Sequence, residues 1–479
     1  MSVQHGLRKL SEKSTRRDFI KTALAGIGGL VLGGVIGSFI SRPSAVVQTV
    51  THTITVTKTP TAQQIKSKKF KAAWIYVGPI GDYGWTYEHD QGRKIVEKVL
   101  GSSGLGVISE TAYRESVPED RVSKVIEDFI SQGYDIVYTT SFGYMDATNE
   151  AAKKHPNKIF AHCSGYKRLA PNIATYFAEA YLAYYLNGIM AGALTKSNKI
   201  GYVAAHLIPE VVRHINAFTI GVREVNPKAE VYVVRIGAWY NPPKAREAAE
   251  ALIAQGVDVL AFTEDSPTVL QIAESYQNKG IKIWSFSHYS DMKRFGKKAM
   301  LAGQIVDWGP LYIELTIRAI YALYALENGD EETFRWLWAG FPESTPRDYW
   351  WGMREGVFDI APPRMMHEKA AQKCKLTYDT YENGNLVEYM GCLRRVEEEV
   401  IREYVNPILM QAKIPGKNIT VLDYVLWRRR QILDGSWDPF TGPIYDNEGK
   451  LRIEKGYRAS HDMLWNMDWF VEGVAAVQK

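Results

Sequence analysis

The sequence predicts an α/β fold of two doubly wound parallel-sheet lobes that face each other across a cleft, joined by a hinge and followed by a C-terminal extension. From residue 70, short apolar runs rich in β-branched residues alternate with amphipathic stretches, which is typical of parallel strands joined by helices. This cycle breaks near residues 193–199 and then starts again. Two successive runs of one cycle predict two similar lobes, with a ligand expected between their strand ends.

Length and composition are those of a globular protein of two or three domains. The chain has 479 residues, of which 46% are hydrophobic and 12% aromatic, so a sizeable core can form. The net charge is +5, and residues 1–21 supply +4 of it through six basic and two acidic side chains. The remainder is close to neutral and gives no indication of a nucleic-acid partner.

The N-terminus has the features of an export signal. Arg16 and Arg17 stand in the segment STRRDFIK at 14–21, which is typical of a twin-arginine signal. Residues 22–41 contain no charged side chain and are long enough to cross a hydrocarbon core of about 30 Å. We therefore predict a signal or membrane anchor at 1–45 and a Thr-rich linker at 46–69 that holds the body outside the cell. The alternative is a chance arginine pair before an apolar helix.

The first lobe is predicted at 70–194. An apolar strand at 72–77 leads into a loop broken by Gly78, Pro79, Gly81 and Gly84, and a helix begins near residue 87. The elements that follow are a helix at 119–132, a strand at 135–140, a helix ending at 154, a strand at 158–163 and a long helix at 176–194.

The second lobe is predicted at 195–290, and the chain then returns through the hinge with closing helices at 291–365. The strands of this lobe are expected at 199–205, 231–236, 257–263 and 281–285, with helices at 211–225, 245–255 and 268–279.

Loops at the predicted strand ends carry candidate ligand-binding residues. Aromatic rings there could stack on a flat base, at about 1–3 kcal/mol per base, and carboxylates could accept hydrogen bonds from hydroxyls or amines. These candidates are Asp82, Trp85, Thr86, Phe142, Tyr144, Asp146, Trp239, Tyr240, Asp265, His288, Asp291 and Trp308. The alternative for each Asp is a turn or helix cap, and for Trp85 a core position.

A charged segment at 366–421 is interpreted as an insertion before a C-terminal tail at 422–479. It contains Cys374 and Cys392, two of only three cysteines in the chain. Because an exported protein meets an oxidising environment, these two are expected to form a disulfide. Two cysteines alone do not indicate a zinc site, and Cys163, on a predicted core strand, is expected to be a buried thiol.

Several motifs are dispersed over the chain: GPIGDYGWTY at 78–87, QGYDIV at 132–137, TTSFGY at 139–144, TKSNKIGYV at 195–203, PEVV at 209–212, INAFT at 215–219, QGVDVL at 255–260, SDM at 290–292, DGSWDPFTGPI at 434–444 and MDWFVEG at 467–473. Together they resemble the basic membrane protein (BMP) family of ABC-transporter solute-binding proteins, relatives of the purine nucleoside receptor lipoproteins.

The resemblance implies a type I periplasmic-binding fold that holds a purine nucleoside between its lobes. In that family two aromatic rings sandwich the base and carboxylates hold the ribose hydroxyls. By position, Trp85 matches the first ring, and Thr86 stands where the nucleoside receptors usually have Asn. The other matching residues are Phe142, Gly143 and Asp146 in one loop, Asn216 and Phe218 on a second-lobe helix, Asp265 and Ser266 after a strand, and His288 and Asp291 in a later loop. Asp307, Trp308 and Gly309 stand where the family has a basic residue.

The resulting expectation is a monomeric, extracytoplasmic solute-binding protein that closes on a purine nucleoside or nucleobase and delivers it to an ABC permease. No cofactor or metal is expected. Two alternatives stay open: a surface sensor for another small aromatic solute, and a nucleoside-processing hydrolase. The hydrolase is less favoured because the sequence has no GxSxG elbow, no HExxH motif and no phosphate-binding Gly-Lys-Ser loop.

Overall fold

The computed structural model describes residues 68–339, 348–374 and 386–478. The export signal predicted at 1–45 and nearly all of the linker at 46–69 lie outside these residues. Within the described part of the chain, no helix combines the length and the apolar character needed to cross a membrane.

Strands and helices alternate as the sequence predicts. The strands are β1 (Phe70–Ile75), β2 (Ile108–Arg114), β3 (Ile136–Thr139), β4 (Ile159–Cys163), β5 (Ile173–Ala178), β6 (Lys199–Ala204), β7 (Glu230–Arg235), β8 (Val259–Thr263), β9 (Ser285–Tyr289), β10 (Met300–Val306), β11 (Asp348–Trp351), β12 (Phe358–Asp359), β13 (Ile444–Tyr445), β14 (Leu451–Ile453) and β15 (Val474–Gln478). The helices are α1 (Trp85–Leu100), α2 (Val122–Ser131), α3 (Met145–Lys154), α4 (Tyr181–Leu194), α5 (Pro209–Val225), α6 (Pro242–Ala254), α7 (Thr268–Asn278), α8 (Gly309–Glu327), α9 (Glu331–Phe334), α10 (Pro363–Lys373), α11 (Leu386–Tyr404), α12 (Val421–Asp434) and α13 (His461–Trp465).

The first lobe contains a six-stranded sheet in the order β11-β5-β4-β3-β1-β2, and all of its pairings are parallel. Its central strands β3, β4 and β5 are buried along their whole length, as expected for a parallel sheet covered on both faces. Helix α8 packs on α1 at this lobe.

The second lobe contains a parallel sheet in the order β15-β7-β6-β8. A parallel bridge between Val259 and Trp284 links it to a further sheet, β12-β10-β9. Helix α4 packs closely on α5 and contacts β10. The chain passes from one sheet to the other between β5 and β6, returns between β10 and β11, and crosses again between β11 and β12. The predicted α/β fold with two parallel-sheet lobes is therefore confirmed.

Two predicted elements are wrong in their limits. The helix predicted at 176–194 begins only at Tyr181, because residues 173–178 form the fully buried strand β5. Both β5 and α4 are buried all round, so a continuous apolar run concealed the boundary between them. The strand predicted at 281–285 is observed at Ser285–Tyr289; Ile281 is 49% exposed, and the shift places His288 within a strand.

The C-terminal part of the chain is tied to the second-lobe sheet and to the sheet linked to it. Cys374 and Cys392 form a disulfide with Cα atoms 5.8 Å apart, and Cys163 is a free, buried cysteine. The buried Arg429 on α12 donates to both carboxylate oxygens of Asp359 in β12. Strand β15 lies at the edge of the second-lobe sheet, beside β7.

Candidate functional site

A cavity lies between the two lobes, at the carboxyl ends of their parallel strands. Protein atoms leave about 350 Å³ empty there, part of it open to solvent. The cavity is lined by Val77, Trp85, Thr140, Ser141, Phe142, Ser164, Glu210, Trp239, Thr263, Asp265, His288 and Tyr289.

Trp85 forms part of the first-lobe wall and is firmly fixed. Its indole N–H donates to the carbonyl oxygen of Thr140 at 2.6 Å, and its ring packs edge-on against His89 and Trp308. Trp308 is fully buried and stacks on His89 at 4.5 Å. Trp308 therefore supports the ring of Trp85 from behind and does not line the cavity.

The side chain of Asp82 stabilises the start of α1. Its carboxylate accepts hydrogen bonds from the backbone N–H groups of Gly84, Thr86 and Tyr87, at 2.8 to 3.0 Å. The hydroxyl of Thr86 accepts one from the backbone N–H of Gly78. Asp82 and Thr86 were predicted to contact the ligand, but they shape the loop that holds Trp85 and do not line the cavity.

Asp265 forms the opposite wall and joins the two lobes. Its Oδ1 accepts a hydrogen bond from the backbone N–H of Trp85 at 3.3 Å, and its own backbone N–H donates to the carbonyl oxygen of Trp239 at 2.7 Å. Gly84 permits this approach, because a Cβ there would lie 2.9 Å from the Cα of Asp265. No hydrogen bond within the described residues reaches Oδ2 of Asp265, which leaves this oxygen available to a ligand.

His288 lies beside Asp265 as a neutral side chain. Its Nδ1 is within hydrogen-bond distance of the hydroxyl of Tyr184 and the amide nitrogen of Gln304, and its Nε2 is 3.8 Å from Asp265. Burial lowers the pKa of His288 to about 3, so its ring offers polarity without charge.

Glu210, Ser164 and Tyr289 form a third group, which the sequence interpretation missed. Ser164 donates to one carboxylate oxygen of Glu210 at 2.6 Å, and Tyr289 donates to the other at 3.0 Å. Ser164 and Tyr289 have φ of 69° and 57°, in the left-handed region that costs most residues about 1–3 kcal/mol. Such conformations cluster at ligand sites, where the surrounding contacts impose them.

Buried carboxyl groups from both lobes meet beside the cavity. Burial raises the pKa of Asp82 to about 6, although three backbone donors oppose the shift, and raises that of Glu264 to about 8. Burial and the carboxylates of Asp82 and Glu264 raise the pKa of Asp265 well above its usual range. Burial also raises the pKa of Glu210. The site is therefore acidic in composition and partly protonated near neutral pH.

The other predicted residues lie away from the cavity. Gly143 is exposed, and the exposed Asp146 forms an ion pair with Lys167 at 2.6 Å. Tyr144 points into the first-lobe core, where its hydroxyl donates to the carbonyl of Val117. Of this loop, only Phe142 and its neighbour Ser141 line the cavity.

Three second-lobe predictions also have structural partners. Asn216 donates to the carbonyl of Trp469 and accepts from the backbone N–H of Val471, so it fixes the C-terminal tail. Ser266 donates to Glu264. Asp291 accepts from the hydroxyl of Tyr404 at 3.0 Å. Tyr240, next to the lining residue Trp239, is 42% exposed.

The lining suits a neutral solute that has a flat or apolar face and several hydrogen-bond donors. Four aromatic rings supply stacking surfaces, and Asp265 supplies an acceptor. Since none of the twelve lining residues is Lys or Arg, and the acidic groups repel negative charge, an anionic ligand is disfavoured. Within the described residues, no group of three or more His, Cys, Asp or Glu side chains is arranged to hold a metal ion.

Comparison with known proteins relates the chain to substrate-binding proteins of ABC transporters. Residues 69–335 match the Bmp family, described as ABC transporter substrate-binding protein, PnrA-like. A purine-binding protein of Brucella abortus is 31% identical over 408 residues, which is 85% of this chain and 93% of the relative. A Haloferax volcanii protein named as an ABC transporter glucose-binding protein is 37% identical over 281 residues, 59% of this chain and 67% of the relative.

A solved structure shares the fold. The solute-binding protein of an ABC transporter system from Aeropyrum pernix K1 superposes with a TM-score of 0.52 at 16% identity, covering 82% of this chain and 95% of that chain.

Proposed function

The chain belongs to the family of PnrA-like ABC transporter substrate-binding proteins, and we propose that its cavity binds an unphosphorylated purine nucleoside or nucleobase, with an adenosine-like nucleoside as the first candidate. The observation that carries this proposal is the pairing of aromatic walls with a buried acceptor, Asp265. The Brucella relative named as purine-binding covers most of the chain and supports the same ligand class.

The aromatic walls favour a flat ligand. Trp85, Phe142, Trp239 and Tyr289 line the cavity from both lobes. A purine has two π-faces, and each stack on an aromatic ring contributes about 1–3 kcal/mol. Rings contributed by both lobes stabilise the closed arrangement only when a ligand fills the space between them.

The acidic walls favour a ligand with donors and without phosphate. The unoccupied oxygen of Asp265 is suited to an exocyclic amine or a ribose hydroxyl. A phosphate group would enter a cavity bordered by Glu210 and Asp265, with no basic side chain among the lining residues. We therefore expect a nucleotide to bind far more weakly than its nucleoside.

A hexose is the second candidate. The relative named as glucose-binding covers 59% of this chain, and a carboxylate beside an aromatic ring also suits a sugar, whose hydroxyls donate and whose C–H face packs on the ring. The purine is favoured because four rings supply more stacking surface than a single sugar ring uses.

The biological role we propose is delivery of this solute to an ABC permease by a monomeric protein outside the cytoplasmic membrane. Membership of a solute-binding family supports binding over catalysis. Export by the Arg16-Arg17 signal and retention by residues 22–41 belong to the same proposal. A surface sensor would use an identical cavity, so only the neighbouring permease subunits separate these two roles.

A thermal-unfolding panel on the full chain tests the ligand. Adenosine and adenine are expected to raise the melting temperature, because a ligand that binds only the folded state stabilises it. Glucose, amino acids and flavins serve as comparison solutes. Stabilisation by glucose with none by any purine would replace the purine proposal with the hexose one.

A further inference from the structure

The carboxyl group of Glu210 joins the two lobes across the cavity. Glu210 lies in the first turn of α5, in the second lobe. Its Oε2 accepts a hydrogen bond from Ser164, which follows β4 of the first lobe, at 2.6 Å. Its Oε1 accepts one from Tyr289, at the end of β9, at 3.0 Å. All three side chains are buried and line the cavity.

These bonds hold cavity walls in conformations that they would not adopt freely. Ser164 and Tyr289 both have positive φ, which neither residue type favours. One carboxyl group therefore fixes a strained wall residue from each lobe. Both of its oxygens are occupied, so Glu210 contacts protein in this arrangement, whereas Asp265 keeps an oxygen for the ligand.

We propose that Glu210 is a latch between the lobes: its bond to Ser164 must break before the cleft can open, and the latch thereby sets how long a ligand stays bound. A hydrogen bond to a carboxylate is stronger in a buried site than in water, so its loss is not fully compensated when the cleft begins to open. This latch depends on the proposed function in one respect only, which is that adenosine is the ligand used to probe it.

Two other hydrogen bonds between the lobes each use a backbone group. Trp85 donates through its backbone N–H to Asp265, and Ser290 donates to the backbone carbonyl of Tyr83. The latch joins two side chains, so a double-mutant cycle can isolate it.

The first experiment measures adenosine dissociation by stopped-flow fluorescence. Ser164→Ala and Glu210→Gln are each expected to speed dissociation roughly tenfold, with a smaller effect on association. The double variant should be no faster than the faster single variant, because both remove the same bond. Effects that multiply, or dissociation within twofold of the native rate in both single variants, would overturn the proposal.

Glu224→Gln is the matched control. Glu224 lies on the same helix and also accepts two hydroxyls, from Tyr185 and Tyr424, but it contacts α4 and α12 and not the cavity. Adenosine should dissociate from Glu224→Gln at the same rate as from the native protein. A rise as large as that of Glu210→Gln would mean that any loss of a carboxylate on α5 loosens the lobes.

The second experiment needs no ligand. Spin labels are placed on the full chain through Lys124→Cys in the first lobe and Glu250→Cys in the second, both exposed. Cys163 is buried, and the other two cysteines are paired. Glu210→Gln should lengthen the mean distance between the labels relative to Glu224→Gln. Unchanged distances would refute the latch, whether or not adenosine binds. If the distances lengthen as expected but adenosine does not bind, only the proposed ligand is refuted.

Discussion

Replacing Asp265 by Asn is expected to weaken ligand binding while leaving the protein folded. Asp265 is 3% exposed as a residue, and its Oδ1 accepts a hydrogen bond from the backbone N–H of Trp85. Asn has the same shape and keeps one acceptor oxygen for that contact between the lobes. It cannot offer a second carboxyl oxygen to the ligand, so the change removes the acceptor that the proposed function requires.

The size of the effect follows from one buried hydrogen bond to a carboxyl oxygen. Leaving the ligand's donor without this partner costs about 1–3 kcal/mol, so the dissociation constant for adenosine should rise roughly 5- to 150-fold. The free energy of unfolding, in contrast to the affinity, should not decrease. Asp265 lies with Asp82 and Glu264 in a buried acidic group that raises its pKa, and Asn removes the cost of ionising it. At pH 8 the free energy of unfolding should therefore equal or exceed that of the native protein.

Calorimetric titration with adenosine and thermal unfolding of the same samples measure the two effects. Asp146→Asn is the matched control, since Asp146 is an exposed carboxylate of the first lobe that pairs with Lys167 and does not line the cavity. A dissociation constant within twofold of native for Asp265→Asn would refute the role of this acceptor. A fall in melting temperature of more than about 5 °C, roughly 2 kcal/mol or more of stability, would show that the carboxylate is needed for folding.

Three further predictions concern stability. Trp85→Ala should lower the free energy of unfolding by about 3–5 kcal/mol, as for other buried aromatic side chains, as well as weaken binding; an unchanged denaturant midpoint would contradict the packing described for this ring. Because the folded-state pKa values of Asp82 and Glu264 are raised to about 6 and about 8, their contribution to stability is fully present below about pH 4 and is lost as pH rises through 6 to 8. Thermal unfolding across that pH range should show this loss of stability, and Glu264→Gln should make the dependence of stability on pH less steep. Equal slopes in the native protein and the variant would contradict the raised pKa of Glu264. Changing both Cys374 and Cys392 to Ser should cost about 3 kcal/mol in the chain-entropy description without altering adenosine affinity, and a change in affinity would show that the disulfide influences the cleft.

Much of the fold could be predicted because strands of a parallel sheet are apolar and are punctuated by turn residues. The limit between β5 and α4 could not, since Ile173–Ala178 and Tyr181–Leu194 are both fully buried and neither has a polar face to reveal its period. The packing of α4 on α5 likewise depends on tertiary contacts that periodicity does not encode.

The candidate site was partly predictable for the same reason. Trp85, Phe142 and Asp265 follow strand ends, where a parallel sheet presents its ligand site. Asp82 follows a strand end too, but whether such an Asp caps a helix or meets a ligand depends on where its carboxylate points. Glu210 was missed because an acidic residue after Pro209 in the first turn of a helix is common for electrostatic reasons alone. The contact that distinguishes it, with Ser164, spans 46 positions.

The most direct test of the central claim is calorimetric titration of the full chain with adenosine, adenosine 5′-monophosphate and glucose under one set of conditions. We predict saturable binding of one adenosine per chain, at least tenfold weaker binding of the monophosphate because of the acidic lining, and no heat of binding for glucose. Binding of glucose without adenosine, or of the monophosphate as tightly as the nucleoside, would contradict the account.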